Sequence, residues 1–229
     1  MVRTAPGGDP GFPCYDHPTL TDELDTYPEG AITWRYYAAM PNSIWTAPNA
    51  ISHICNASNG QCQSSQGDWK YVSLEYENPN GTYNLAPVLT DIQNCNLAQV
   101  SWVTPDVKWS DHPGSGDNIG LGPDYVSNII DAIGNSKQNS GGACDYWKAD
   151  PTVILIIWDD WGGWYDHVPT CVGAGYPDSG GSGKQYVFGF RVPLLVVSSY
   201  TLARTVSAPL PVNRPIRRPL NLPTTSAAF

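Results

Sequence analysis

The first half of the chain alternates apolar and polar residues in patterns typical of short elements. Thr19–Leu24 places a hydroxyl before acidic residues, which predicts the start of a short helix. β-branched and aromatic residues predict one strand over residues 31–37 and another over residues 97–103. Residues 40–84 are polar and rich in turn residues, and they predict an ordered excursion without a regular period.

The second half carries the stronger hydrophobic signals. Apolar residues at helical spacing follow Pro123 and predict a helix over residues 123–133. Val153–Trp158 is a continuous apolar run, which predicts a strand covered on both faces as in a parallel sheet, and residues 192–198 repeat the pattern. This alternation of strands and helices predicts an α/β fold.

Composition favours a folded globular protein in an oxidising compartment. Hydrophobic residues make up 41% of the 229 residues and charged residues only 14%, which argues against disorder. The even number of cysteines favours disulfides, although buried thiols in a cytosolic protein remain the alternative. Cys55 and Cys62 close a short polar loop and are the predicted pair, with other connectivities left open.

Charge and hydropathy restrict the partners and the location. The net charge of −9 disfavours a nucleic-acid partner, because phosphate backbones attract basic surfaces. No apolar run approaches the roughly 20 residues that span a bilayer, so no transmembrane segment is expected. Residues 1–14 lack the apolar centre of a signal peptide, although the cysteines suggest a secreted or periplasmic protein. We therefore expect that the natural N-terminus is missing.

The stretch Trp158–His167 is the main candidate for chemistry. Asp159 and Asp160 come directly after an apolar strand, and ligands of open α/β sheets bind at that end of the strands. Two adjacent carboxylates repel one another, so a divalent cation is a natural partner for them. The two glycines that follow permit a tight turn that returns Asp166 and His167 towards the carboxylates. A solvated turn with a capping Asp is the structural alternative.

His112 is the second candidate. It lies in Ser110–Gly114, a loop that follows a predicted strand, and an imidazole there can bind metal, contact a phosphate oxygen or protonate a leaving group. A surface histidine is the alternative. His17 and His53 favour local structural roles.

Five stretches together resemble the bacterial phosphoesterase family of non-haemolytic phospholipases C and an acid phosphatase. They cover roughly residues 14–200 in the order of the family. They are Asp16–Leu20, Ile32–Tyr37, Ser110–Gly114, Trp158–His167 and Gly189–Leu194.

The resemblance implies an alkaline-phosphatase-like α/β sheet with flanking helices and hydrolysis of phosphoric esters at a divalent metal ion. It implies that Asp159 and Asp160 hold the metal and that His112 and His167 lie at the active site, with Asp166 and Asp111 in support. The implied substrate is a phospholipid or a smaller phosphate ester. The implied domain covers residues 14–200, and residues 201–229 form a Pro/Arg-rich tail that we expect to be disordered.

The sequence also departs from the family pattern. The resemblance implies an early strand with a Glu-Asn metal-binding motif and a Ser or Thr nucleophile in a Gly-Pro-Thr-like turn, and neither motif stands ahead of the first matched stretch at Asp16. We therefore expect a sheet incomplete at the N-terminus, in a fragment that can be inactive by itself. The alternative from another class is a secreted carbohydrate-binding or structural module, which nine Trp and thirteen Tyr would suit.

Overall fold

The computed structural model shows helices and strands in the described parts of the chain. It describes residues 15, 17–38, 45–55, 57–58, 61–62, 71–74, 87–105, 107–110, 112–113, 121–163, 165–167, 172–177, 185–187 and 190–201. By its backbone contacts the chain forms two units, residues 1–199 and residues 200–229, and only Tyr200 and Thr201 of the second are described. The predicted tail over 201–229 therefore lies almost wholly outside the described residues, and the predicted domain boundaries stay a prediction.

Four α-helices and nine strands are described in the first unit. The helices are α1 (Leu20–Asp25), α2 (Pro87–Gln93), α3 (Leu121–Gly134) and α4 (Ser136–Asn139). The strands are β1 (Trp34–Ala38), β2 (Ala57–Ser58), β3 (Gln61–Cys62), β4 (Val72–Leu74), β5 (Val100–Val103), β6 (Ile154–Ile157), β7 (Val172–Pro177), β8 (Gln185–Val187) and β9 (Leu194–Val197). Short 3₁₀ helices occupy Ala47–Ala50 and Val107–Trp109.

A parallel sheet in the order β4-β1-β5 forms the described centre of the fold. Tyr36 of β1 lies beside Val72 of β4 and Trp102 of β5. This sheet and its helices confirm the predicted α/β class. The interpretation of residues 40–84 as an ordered excursion without a regular period was incomplete, because β2, β3 and β4 lie within it. Strands of two or three residues are too short to show a period.

The period-two alternation of β1 and β5 separates two hydrophobic clusters, one on each face of the sheet. Trp34 and Trp102 pack with Leu24 of α1 in the first cluster. Tyr37 and Val103 face the second cluster, to which α2 and α3 contribute. Its buried members are Tyr37, Val88, Ile92, Ile133 and Tyr146. The sheet is therefore covered by helices on both sides, as in other α/β proteins.

Strand β6 differs from its prediction. It pairs antiparallel with β9, with Ile154 beside Val197, rather than lying in a parallel sheet. Ile154 packs against the second cluster, whereas Leu155 and Ile157 are 62% and 68% exposed. The prediction of burial on both faces was therefore wrong for the described residues. A continuous apolar run makes both faces of a strand apolar, but only other elements can cover them.

The structure contains a disulfide between Cys95 and Cys144, which joins the end of α2 to the segment after α4. Cys55 is also disulfide-bonded, but its partner is outside the described side chains. The predicted Cys55–Cys62 pair therefore stays a prediction.

Candidate functional site

The acidic turn, which we define as residues 159–163, begins two residues after β6. Asp159 and Asp160 are both exposed. The Asp160 backbone N–H donates to Oδ1 of Asp159 at 3.0 Å, and the Gly162 N–H donates to Oδ1 of Asp160 at 2.5 Å. The backbone thus holds one oxygen of each carboxylate, and the carboxylates remain open to solvent.

Gly162 and Gly163 give the acidic turn its shape. Their φ angles are +64° and +75°, in the left-handed region that side chains with a Cβ rarely adopt. No atom lies within 4 Å of a Cβ built on Gly163, so backbone conformation rather than crowding requires glycine there. The predicted turn at the two glycines is confirmed, whereas the return of Asp166 and His167 towards the carboxylates stays a prediction.

Asp166 forms a bidentate ion pair with Arg191. Arg191 Nε donates to Oδ2 at 2.9 Å and Nη2 donates to Oδ1 at 2.8 Å. The hydrogen bond to Asp166 is the main cause that raises the pKa of Arg191 above its usual value. His167 Nδ1 lies 3.8 Å from Oδ1 of Asp166, beyond hydrogen-bond distance, and its side chain is 82% exposed. The supporting role of Asp166 for His167 stays a prediction.

His112 lies after the carboxyl end of β5. Its backbone N–H donates to Ser110 Oγ at 3.1 Å, and its ring centroid is 5.6 Å from that of Trp45. The Tyr36 hydroxyl in turn contacts the Trp45 carbonyl at 3.3 Å and Thr104 Oγ1 at 3.0 Å. These contacts place His112 near the carboxyl ends of the strands of the parallel sheet, where α/β proteins bind ligands. Asp111 lies outside the described residues.

The structure does not gather the predicted site residues into one ligand cluster. Within the described ranges, no group of three or more His, Cys, Asp or Glu residues could hold a metal ion. Asp159 and Asp160 lie together after β6, and His112 lies after β5. The assignments of Asp159, Asp160, His112 and His167 to a site therefore stay predictions.

Sequence reasoning missed two features of this region. Arg191 was noted only as part of the Gly189–Leu194 stretch, although its bond to Asp166 ties that stretch to the residues after β6. The contacts that join Tyr36, Thr104 and Trp45 carry no sequence signal, because they connect residues 68 and 9 positions apart.

Comparison with known proteins provides the family. A model of the Phosphoesterase family matches residues 9–210, slightly more than the predicted 14–200. The chain belongs to the Phosphoesterase family. The match includes all six residues proposed for the site.

Named relatives of this phosphoesterase-family chain are phospholipases. A non-hemolytic phospholipase C of Pseudomonas aeruginosa is 28% identical over 152 residues, which cover 62% of this chain and 18% of the relative. Phospholipase C B of Mycobacterium tuberculosis is 32% identical over 125 residues, or 48% of this chain and 22% of the relative. Non-specific phospholipase C1 of Arabidopsis thaliana is 32% identical over 102 residues, or 42% and 17%.

The aligned part of this phosphoesterase-family chain spans about a fifth of the length of those relatives. Among the helices that the structure describes, none has the length and hydropathy needed to cross a membrane.

Proposed function

We propose that this chain carries the cation-binding carboxylates of a phospholipase C-like phosphoric ester hydrolase. Membership of the Phosphoesterase family over residues 9–210 supports this, as do the names of the similar phospholipases. The observation that carries the proposal is the exposed pair Asp159–Asp160 two residues after β6, within the matched region.

The carboxylates fit part of a divalent cation site. Each has one oxygen held by a backbone N–H, so the pair is ordered by the turn while remaining open to solvent. Carboxylate oxygens suit hard cations such as Mg²⁺, Ca²⁺ and Mn²⁺, which take six or more ligands. Two residues supply only part of such a set, so water, substrate oxygens or residues outside the described ranges must complete it.

Four residues of the chain have a chemical role in this proposal: two carboxylates and two histidines. A divalent cation, when bound, polarises the phosphoryl oxygen and lowers the pKa of a coordinated hydroxyl. Asp159 and Asp160 hold the cation and neutralise its charge. His112 and His167, whose side chains are exposed, can donate a proton to the departing alkoxide or stabilise negative charge at phosphorus.

The proposed substrate is a phospholipid or a smaller phosphate ester, and the proposed location is outside the cytoplasm. The net charge of −9 argues against a nucleic-acid substrate. Disulfides at Cys95–Cys144 and at Cys55 support an oxidising compartment, because cytosolic thiols are usually kept reduced.

The decisive experiment measures Mn²⁺ binding to the chain by calorimetry. We expect the double variant Asp159→Ala/Asp160→Ala to lose affinity by about 100-fold or more, because even residues that only orient metal ligands are worth about 10–100-fold. Asp124→Ala/Asp131→Ala is the matched control, since it removes two exposed carboxylates from α3. Equal Mn²⁺ affinity in the two double variants would contradict the proposal.

A second arm measures hydrolysis of p-nitrophenyl phosphate and p-nitrophenyl phosphorylcholine with and without Mn²⁺. Cation-dependent hydrolysis that the Asp159→Ala/Asp160→Ala variant lacks shows that the chain is active by itself. Mn²⁺ binding without hydrolysis shows that the nucleophile must come from elsewhere. A carbohydrate-binding module, in contrast, would bind sugars equally well in both double variants.

A further inference from the structure

Two contacts join the residues after β6 to the residues before β9. The first is the ion pair between Asp166 and Arg191, in which both carboxylate oxygens accept a guanidinium N–H. The second is an aromatic contact between Trp161 and Phe190, with ring centroids 5.3 Å apart. These segments meet because β6 and β9 are antiparallel. Ile157, the last residue of β6, pairs with Leu194, the first residue of β9, so the chain leaves β6 beside the point where it enters β9.

The Asp166–Arg191 ion pair is shielded from solvent at the carboxylate and open to solvent at the guanidinium. The Asp166 side chain is only 13% exposed, while the Arg191 side chain is 62% exposed. Two parallel N–H···O bonds fix the orientation of the carboxylate as well as its position, which a single ammonium group cannot do. Arg191 therefore fixes the orientation of the Asp166 carboxylate and does more than neutralise its charge.

Three points of attachment lie along the segment that contains the acidic turn. Ile157 is held by its pairing with Leu194, Trp161 by Phe190 and Asp166 by Arg191. Between them are the two adjacent carboxylates and the two glycines. Adjacent negative charges repel one another, and glycines have the largest backbone freedom, so an unattached turn would adopt many arrangements.

We propose that Arg191 is a positioning residue that, through Asp166 and with the help of Phe190, holds the acidic turn in a cation-binding arrangement. This inference rests on the proposed function of Asp159 and Asp160. By ordering the turn before the cation arrives, Arg191 removes an entropic cost that cation binding would otherwise include. Arg191 itself contacts neither the cation nor the substrate.

The first measurement is Mn²⁺ affinity, by calorimetry, in variants of the ion pair. We expect Arg191→Met to weaken Mn²⁺ binding by about 10–100-fold, the usual range for residues that orient metal ligands. Arg191→Lys keeps the positive charge but not the bidentate geometry. We therefore expect its Mn²⁺ affinity to lie between those of Arg191→Met and the wild type. Lys137→Met is the control, since Lys137 forms an ion pair of similar exposure with Asp145 at 3.7 Å, in a segment that carries none of the proposed site residues. We expect no change in Mn²⁺ affinity there.

A double-mutant cycle tests whether Arg191 acts through Asp166. We expect Asp166→Ala and Arg191→Met to weaken Mn²⁺ binding by similar factors and the combined variant to be no weaker than either, since both remove the same contact. Additive losses would show that Arg191 acts by another route and would overturn the proposal.

The second measurement is amide hydrogen exchange of peptides spanning residues 158–167, without metal. We expect faster exchange in Arg191→Met than in wild type or Lys137→Met, because the turn loses an attachment. If Arg191→Met is too unstable to examine, Arg191→Lys provides the same comparison, and circular dichroism establishes which variants are folded.

The outcomes separate this inference from the proposed function. Wild-type Mn²⁺ binding with unchanged affinity in Arg191→Met overturns the positioning role and leaves the proposed function intact. A wild-type chain that binds no Mn²⁺ overturns the proposed function, and hydrogen exchange then decides the rest. Faster exchange in Arg191→Met supports Arg191 as the residue that orders the turn, and unchanged exchange overturns it.

Discussion

Asp22 stabilises the start of α1 as a carboxylate. Its Oδ2 accepts the Thr19 backbone N–H at 2.6 Å and the Thr19 hydroxyl at 2.9 Å. The backbone hydrogen bond from Thr19 is the main cause that lowers the pKa of Asp22 below its usual 3.8; the hydroxyl of Thr19 and the nearby His53 add to it, and partial burial opposes it. The helix start predicted from the sequence thus depends on a charged group.

This arrangement predicts a loss of stability in acid. Because the pKa of Asp22 is lower in the folded than in the unfolded chain, its contribution is complete above the unfolded pKa of 3.8 and is lost as the pH falls through the folded pKa. We expect Asp22→Asn to cost about 0.3–1 kcal/mol at neutral pH, the usual range for a charge at a helix N-terminus, and nothing in strong acid. Urea unfolding at several pH values measures both.

The control for Asp22 is Glu29→Gln, which removes an exposed carboxylate outside the helices. We expect this variant to keep the wild-type dependence of stability on pH. If Asp22→Asn also kept it, the carboxylate would not be the group that stabilises α1.

At the scale of elements, the two faces of β6 predict different sensitivities to mutation. Ile154 packs against the second hydrophobic cluster, whereas Leu155 is 62% exposed. We expect Ile154→Ala to lower the free energy of unfolding by about 2 kcal/mol, the low end of the usual range for truncating a large apolar side chain to alanine. We expect Leu155→Ala to change it by at most about 0.5 kcal/mol. Urea unfolding of the two variants makes the comparison, and equal losses would show that the outer face of β6 is also covered.

Helix α2 ends in a way that sequence alone does not indicate. The Asn96 N–H donates to the Asp91 carbonyl at 2.8 Å and the Cys95 N–H to the Ile92 carbonyl at 3.3 Å, the two hydrogen bonds of a Schellman motif. Cys95 occupies the left-handed position with φ of 59°, which α4 fills with Gly141 at φ of 66°. A side chain at this position is less favourable than glycine, but the disulfide to Cys144 requires a cysteine there.

At the scale of the whole molecule, the Cys95–Cys144 disulfide connects positions 49 residues apart in sequence. It restricts the conformations of the unfolded chain between α2 and the segment after α4, both of which contribute to the second cluster. We expect Cys95→Ser/Cys144→Ser to lower the free energy of unfolding by about 2–4 kcal/mol. The denaturant midpoint without reductant measures this loss while leaving the disulfide at Cys55 intact. An unchanged midpoint would show that this crosslink does not stabilise the fold.

The sequence predicted the type and position of six of the thirteen described α-helices and strands. The start of α1, strands β1 and β5, helix α3 and the glycine turn after β6 all carry local signals, namely capping residues, apolar periods and glycine. It could not predict that β6 pairs antiparallel with β9, because apolar periodicity does not encode strand direction. It also could not predict the Cys95–Cys144 pair, since six cysteines permit many connectivities.

For the candidate site, the sequence by itself determined the chemistry available. Asp159 and Asp160 are adjacent in the chain, and the glycines after them permit the turn, so these features need no distant contact. Tertiary structure decided which groups contact the residues around the carboxylates, namely Arg191 at Asp166 and Phe190 at Trp161. The physical reason is range: charge, size and backbone freedom belong to each residue, whereas an ion pair between residues 25 positions apart exists only once β6 and β9 have aligned.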